Sequence, residues 1–125
     1  MSEIIFTPNA PATNPLLSQA HVVGKLVFTS GQTSVNPVDN TMPEGIEAQA
    51  EQCIRNLGAV LLAAGSDLQH VIKTTCYLSN PEDAAAFNEV YGKYFVGKPA
   101  RSCFAVIFPN KKLLCEIEAI AEKTE

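Results

Sequence analysis

Residues 99–122, PARSCFAVIFPNKKLLCEIEAIAE, hold two apolar, strand-like runs, and each carries charge that is costly to bury. Arg101 stands at the entrance to SCFAVIF, while Glu116 and Glu118 interrupt LLCEIEAIA. The runs read as strands over about Arg101 to Phe108 and Leu113 to Glu122, joined by Pro109 to Lys112. Alternation puts Leu113, Cys115, Ile117, Ala119 and Ala121 on one face of the second strand. Leu114, Glu116, Glu118 and Ile120 fall on the other, with the two carboxylates about 7 Å apart. Two explanations fit these charges. One is an Arg–Glu ion pair at a subunit contact. The other is an arginine fork offered to a carboxylate substrate while one glutamate handles a proton or a water. A four-residue hairpin loop at 109–112 would bring Arg101 nearer Glu118 than Glu116, and a bulge would change that register. Residue chemistry alone leaves the choice of glutamate open.

Working outward, the preceding chain supplies the rest of one domain spanning residues 1–125. A short strand is expected around Ile4 to Thr7, and Ala20 to Ser30 reads as two strands broken at Gly24–Lys25. Residues 30–45 form a turn-rich connection. From Glu44 to Ala64, Ile46, Ala50, Cys53, Ile54, Leu57, Val60, Leu61 and Ala64 follow helical spacing, with Pro43 suited to the first turn and Gly65 to the exit. His70 to Ser79 is rich in β-branched residues and reads as a strand. Asn80-Pro81-Glu82-Asp83 then opens a second helix running to about Phe95, with Phe87, Val90, Tyr91, Tyr94 and Phe95 on its apolar side. The fold class is therefore α+β: about six strands in one sheet, with both helices on one face. Two helices cannot cover both faces, yet LVFTS, CFAVIF and LLCEIEAIA look apolar on both sides. The uncovered face calls for self-association, with closed cyclic symmetry the simplest form.

A chain of 125 residues and 13.4 kDa can bury one sizeable core without staples. Nine basic residues against 13 acidic give a net charge of −4 with no basic run beyond Lys111–Lys112, which disfavours nucleic acid as a partner. No apolar stretch is long enough to cross a bilayer, and MSEIIFTPNAP lacks a basic region followed by an apolar one, so a cytoplasmic protein without membrane contact is expected. Cys53, Cys76, Cys103 and Cys115 are widely spaced in apolar segments; they read as buried free thiols, and no zinc pattern is present. Thr29-Ser30-Gly31-Gln32 could expose backbone N–H groups to an anion, although such a sequence is more often only a turn. Ser30 lacks a histidine base, since His21 and His70 have no suitable arrangement. Asn88 on the second helix reads from its position as a surface amide.

Several motifs together carry a family resemblance that runs nearly end to end: NAPAT and SQA near the start, LVFTSGQ, QAEQCIRNLGAVLLAAG, VIKTTCYL, FNEVYGKYF, PARSC and EIEAIA. The chain resembles the RidA (YjgF) family of imine and enamine deaminases. The resemblance implies a chorismate-mutase-like fold and a homotrimer with three clefts between subunits. It further implies cofactor-free, metal-free hydrolysis of 2-imino or enamino acids, such as 2-iminobutanoate and 2-iminopropanoate, to 2-keto acids and ammonia. In the matching positions, Arg101 grips the substrate carboxylate, and Glu116, rather than Glu118, positions or activates the attacking water. Cys103 offers its backbone to the ligand, and Ser30, Gly31 and Asn88 line the cleft.

This chain departs from the family pattern where a GPYSQA-like segment usually carries a tyrosine. NPLLSQA places Leu17 there, which implies a more apolar pocket with one hydrogen-bonding group fewer. Ile107, Phe108 and Pro109 also stand where smaller, basic or aliphatic residues are common. A carboxylate-binding trimer that has lost catalysis is the alternative function. A ribonuclease or translation inhibitor is a third, made unattractive by the negative charge and the lack of a general-acid histidine pair.

Overall fold

The computed structural model describes residues 2–124. Its elements are β1 (Glu3–Ile5), β2 (Ala20–Val23), β3 (Leu26–Thr29), α1 (Ile46–Ala63), β4 (Val71–Leu78), α2 (Ala84–Tyr94), β5 (Ala100–Ala105) and β6 (Cys115–Glu122). The six strands form one mixed sheet in the order β1-β2-β3-β6-β4-β5. Val23 pairs with Leu26 across a two-residue turn in which Gly24 has φ +58°, a conformation that suits a tight hairpin. In α1, Ala50, Cys53, Ile54, Leu57, Val60 and Leu61 are buried as their spacing requires. The helix ends where Gly65 takes φ +83°, with its N–H on the Leu62 carbonyl and the Ser66 N–H on the Leu61 carbonyl, so two end carbonyls are satisfied.

The core lies between the two helices and one sheet face. Cys115, Ile117, Ala119 and Ala121 of β6 and Thr74, Cys76 and Leu78 of β4 point into it, together with Val27 and Phe87. The opposite face has no helix over it: Glu116, Glu118 and Ile120 are half-buried there, and Phe28 and Phe104 are 40% and 53% exposed.

The expected pairing of the last two strands is wrong. β5 pairs in parallel with β4, and β6 lies antiparallel between β4 and β3, so β4 separates the strand bearing Arg101 from the strand bearing the glutamates. The reason is chain connectivity. β4 and β5 are joined through α2, and a helical crossover returns the chain parallel to the strand it left. Residues 106–114 are correspondingly no hairpin loop but a passage around the end of β4, tied by Val106 N–H to the Leu78 carbonyl (2.8 Å) and Ser79 N–H to the Leu114 carbonyl (3.1 Å).

Smaller differences follow from local chemistry. Pro43 lies ahead of α1, which begins at Ile46 after Gly45 at φ +89°. Pro81 opens a 3-10 turn, Pro81–Asp83, capped by Asn80 Oδ1 accepting from the Glu82 N–H at 3.0 Å, before α2 begins at Ala84. His70 belongs to a second 3-10 turn (Leu68–His70) rather than to β4. Cys103 is exposed, unlike the other three cysteines, because β5 is an edge strand.

Buried amides stitch the long connections to this frame. Asn56 Nδ2 donates to the Thr33 and Val35 carbonyls, both at 2.8 Å, and Cys53 Sγ lies 2.9 Å from the Gln32 carbonyl. Gln49 Oε1 accepts from Ser34 Oγ and the Leu114 N–H, while its amide nitrogen donates to the Pro43 and Lys112 carbonyls. Buried polar groups earn no stability unless paired, and their loss strands their partners. Asn56→Ala should therefore lower the unfolding free energy by about 2–4 kcal/mol, read from urea denaturation at fixed protein concentration. A change below about 0.5 kcal/mol would show that the segment after Ser30 does not depend on this contact.

Candidate active site

Arg101 is the register partner of Thr74, whose side chain points into the core, so the Arg101 side chain leaves the sheet on the helix side. There Arg101 Nη1 donates to Asn88 Oδ1 at 2.8 Å, and the guanidinium carbon sits 4.7 Å from the centre of the Tyr91 ring. Cys103, paired with buried Cys76, projects on the same side with its thiol exposed. Asn88 is thus a surface amide by exposure but a partner of Arg101 by contact.

A second group forms around Glu116 on the opposite face. The segment after β3 runs beside β6, with Gln32 N–H on the Ile117 carbonyl (2.8 Å) and Ile117 N–H on the Gln32 carbonyl (3.1 Å). This draws Gly31 so close to Glu116 that a Cβ on Gly31 would stand 1.9 Å from Glu116 Oε2. Only glycine fits there without displacing the carboxylate. Ser30 Oγ donates to the Ser18 carbonyl, and Ser30 N–H to the Gln19 carbonyl at 2.9 Å, which fixes the segment carrying Leu17. Leu17, Ser30 and Gly31 line one cavity of about 190 Å³, and Leu17 is 47% exposed at it.

The two glutamates are not equivalent. Glu118 Oε1 accepts from Tyr77 Oη at 2.9 Å, and that bond raises the Tyr77 hydroxyl above its usual range. Burial, and secondly the neighbouring Glu118 charge, raises the Glu116 carboxyl above its ordinary value of 4.5. A half-buried carboxylate with raised proton affinity is suited to taking a proton and returning it.

The residues singled out in the sequence therefore come together as two groups rather than one. Arg101, Cys103 and Asn88 stand on the helix side of the sheet edge; Glu116, Gly31, Ser30 and Leu17 stand on or beside the open face. With β4 between them and opposite orientations, the two groups of one chain do not face a common ligand. Among the described residues, no ion pair joins Arg101 to either glutamate within the chain. No group of three or more His, Cys, Asp or Glu side chains able to hold a metal occurs among the described residues. Sequence reasoning missed the contacts of Tyr77 and Tyr91. Its one available signal was that a phenol placed on an apolar face needs a hydroxyl partner.

The chain is similar to known proteins over nearly its whole length. Residues 7–123 match the family model described as Endoribonuclease L-PSP. A RutC family protein from Pyrococcus horikoshii is 44% identical over 125 residues, covering 98% of this chain and 99% of that protein. A rat protein named 2-iminobutanoate/2-iminopropanoate deaminase is 40% identical over 121 residues, covering 95% of this chain and 88% of its own length. The crystal structure of Escherichia coli TdcF with bound serine superposes with a TM-score of 0.91 at 36% identity, covering 98% of this chain and 99% of that one. With a match over nearly its whole length and the six-stranded, two-helix fold, the chain belongs to the RidA/YjgF family.

Proposed function

We propose that this protein is a deaminase that hydrolyses reactive 2-imino and enamino acids to 2-keto acids and ammonia without a cofactor, in clefts shared between the subunits of a homotrimer. The observation that carries this reading is the Glu116 carboxylate, seated on Gly31 beside Ser30 with its proton affinity raised. The name of the rat relative and the serine bound to the TdcF structure support small amino-acid-derived substrates. The opposite orientations of the Arg101 and Glu116 groups support a site completed by a second copy, and the open apolar sheet face supplies a surface for that copy.

In this mechanism the Arg101 fork holds the substrate carboxylate and fixes the imine carbon in the cleft. Glu116, ionised, takes a proton from water as the oxygen attacks that carbon. With the imine nitrogen protonated, this addition gives a neutral carbinolamine, and Glu116 passes its proton to the amino group. As the C–N bond breaks, the hydroxyl gives its proton back to Glu116, so that ammonia and the keto acid leave. No bound redox or electrophilic group enters the balance. Cleavage of RNA is the weaker reading, because His21 and His70 lie on separate elements, engaged by Ser2 and Asp67 respectively. Binding without turnover is the reading that Leu17 favours, since an aliphatic side chain at the cavity supplies no hydroxyl. If binding alone is the function, 2-oxobutanoate binds and Arg101→Ala abolishes binding, while no hydrolysis is detected until Leu17→Tyr restores it.

Steady-state hydrolysis of 2-iminobutanoate tests the leading reading. Arg101→Ala should lower kcat/KM by about 30-fold or more, as expected for losing a paired charge, and Glu116→Gln by about 100-fold or more. Wild-type rates in both variants would overturn it. The pH profile gives a second test. Glu116 must be ionised to accept a proton, and its pKa is raised, so activity should fall on acidification with a limb above the ordinary glutamate value of 4.5. Glu118→Gln removes the like charge beside Glu116 and should move that limb to lower pH; an unmoved limb would detach Glu116 from the titration. In light scattering the assembly should have about three times the 13.4 kDa chain mass.

A further inference from the structure

An arginine on an exposed edge strand ordinarily samples many rotamers, and ordering it on ligand binding costs free energy. Arg101 is instead held on two sides before any ligand arrives. Asn88 Oδ1 engages Nη1 at 2.8 Å, and the guanidinium lies over the Tyr91 ring at 4.7 Å. Tyr91 is itself fixed. Its hydroxyl hydrogen-bonds Thr74 Oγ1 at 2.7 Å, and its ring stacks on Phe95 with centroids 4.3 Å apart. Thr74 is fully buried and is the β4 register partner of Arg101. A closed circuit results: the backbone of Arg101 lies beside Thr74, Thr74 orients the Tyr91 ring, and the ring carries the Arg101 guanidinium.

We propose that Tyr91 is a positioning residue for carboxylate capture, a platform that holds the Arg101 guanidinium so that its Nε and Nη2 edge meets the ligand as a pre-formed fork. The proposal deepens the carboxylate-binding part of the function above and rests on it. The attraction between a guanidinium and an aromatic face supplies the hold, and Asn88 sets the rotation about it by occupying Nη1. The phenol hydroxyl serves a separate purpose, since it satisfies buried Thr74, whereas the stack on Phe95 keeps the ring in place without it. The hydroxyl can therefore be removed without the platform.

Binding of 2-oxobutanoate and of its uncharged amide, 2-oxobutanamide, is to be measured by calorimetry on the assembled wild type, Tyr91→Phe and Tyr91→Leu. Tyr91→Phe keeps the ring and should bind the carboxylate within about threefold of wild type, although its melting temperature falls because buried Thr74 loses the stronger of its two hydrogen-bond partners. Tyr91→Leu removes the ring and should weaken carboxylate binding about 3- to 30-fold, while any affinity for the amide stays unchanged. Equal loss of carboxylate affinity in both variants, or equal loss of carboxylate and amide binding in Tyr91→Leu, would overturn the proposal in favour of a merely structural ring. A ligand-free readout separates this from failure of the functional reading. The Arg101 side-chain protons should show an upfield ring-current shift by NMR that persists in Tyr91→Phe and vanishes in Tyr91→Leu. If the shift follows that pattern but 2-oxobutanoate does not bind, the carboxylate-binding function fails while the platform stands. If the wild type shows no such shift, the platform itself is refuted.

Discussion

The parallel pairing of β4 with β5 is the constraint from which the site follows. A parallel pair needs a crossover, here through α2, which lays Asn88 and Tyr91 beside the strand that carries Arg101. The same pairing makes β5 an edge strand and leaves β6 to close the sheet between β3 and β4. Because register fixes which face each side chain takes, Arg101 turns toward the helices while Glu116 turns away from them. Had β5 and β6 formed a hairpin, arginine and glutamate could have met within one chain. As built, Arg101 and Glu116 of one chain lie on opposite sides of the sheet with β4 between their strands.

The second group depends on a different kind of restraint. The segment from Ser30 onward has little regular structure, yet it is held by the Gln32–Ile117 bridge and by buried Asn56, Gln49 and Cys53 of α1. These contacts bring Gly31 against Glu116, and the missing Cβ leaves the carboxylate room. Its raised proton affinity then follows from partial burial and a like-charged neighbour, not from any dedicated base.

Much of this was legible in the sequence, for identifiable reasons. Helical periodicity located α1, the β-branched run VIKTTCYL located β4, and strict alternation in LLCEIEAIA correctly separated the core face from the glutamate face. Strand neighbours were not legible, because alternation fixes a strand's faces but says nothing about which strand lies beside it. The hairpin guess took adjacency in sequence for adjacency in space, whereas the α2 crossover puts β4 next to β5. The candidate residues could be named from the sequence, but their division into two groups needed the sheet order. The distinction between Glu116 and Glu118 was invisible to spacing and now has a physical basis, since Tyr77 engages only Glu118. At position 17 the absence of a phenol was apparent from the sequence, and the structure adds that the leucine borders the cavity beside Ser30 and Gly31.

Subunit mixing tests the shared cleft most directly. Arg101→Ala and Glu116→Gln proteins, each expected to be strongly impaired alone, are unfolded, mixed in equal amounts and refolded together. Every hybrid trimer then contains one cleft with both native residues, so random assembly should restore about a quarter of wild-type 2-iminobutanoate hydrolysis. A mixture no more active than its parents, although mass measurement shows that hybrids formed, would contradict a site built from Arg101 of one subunit and Glu116 of another.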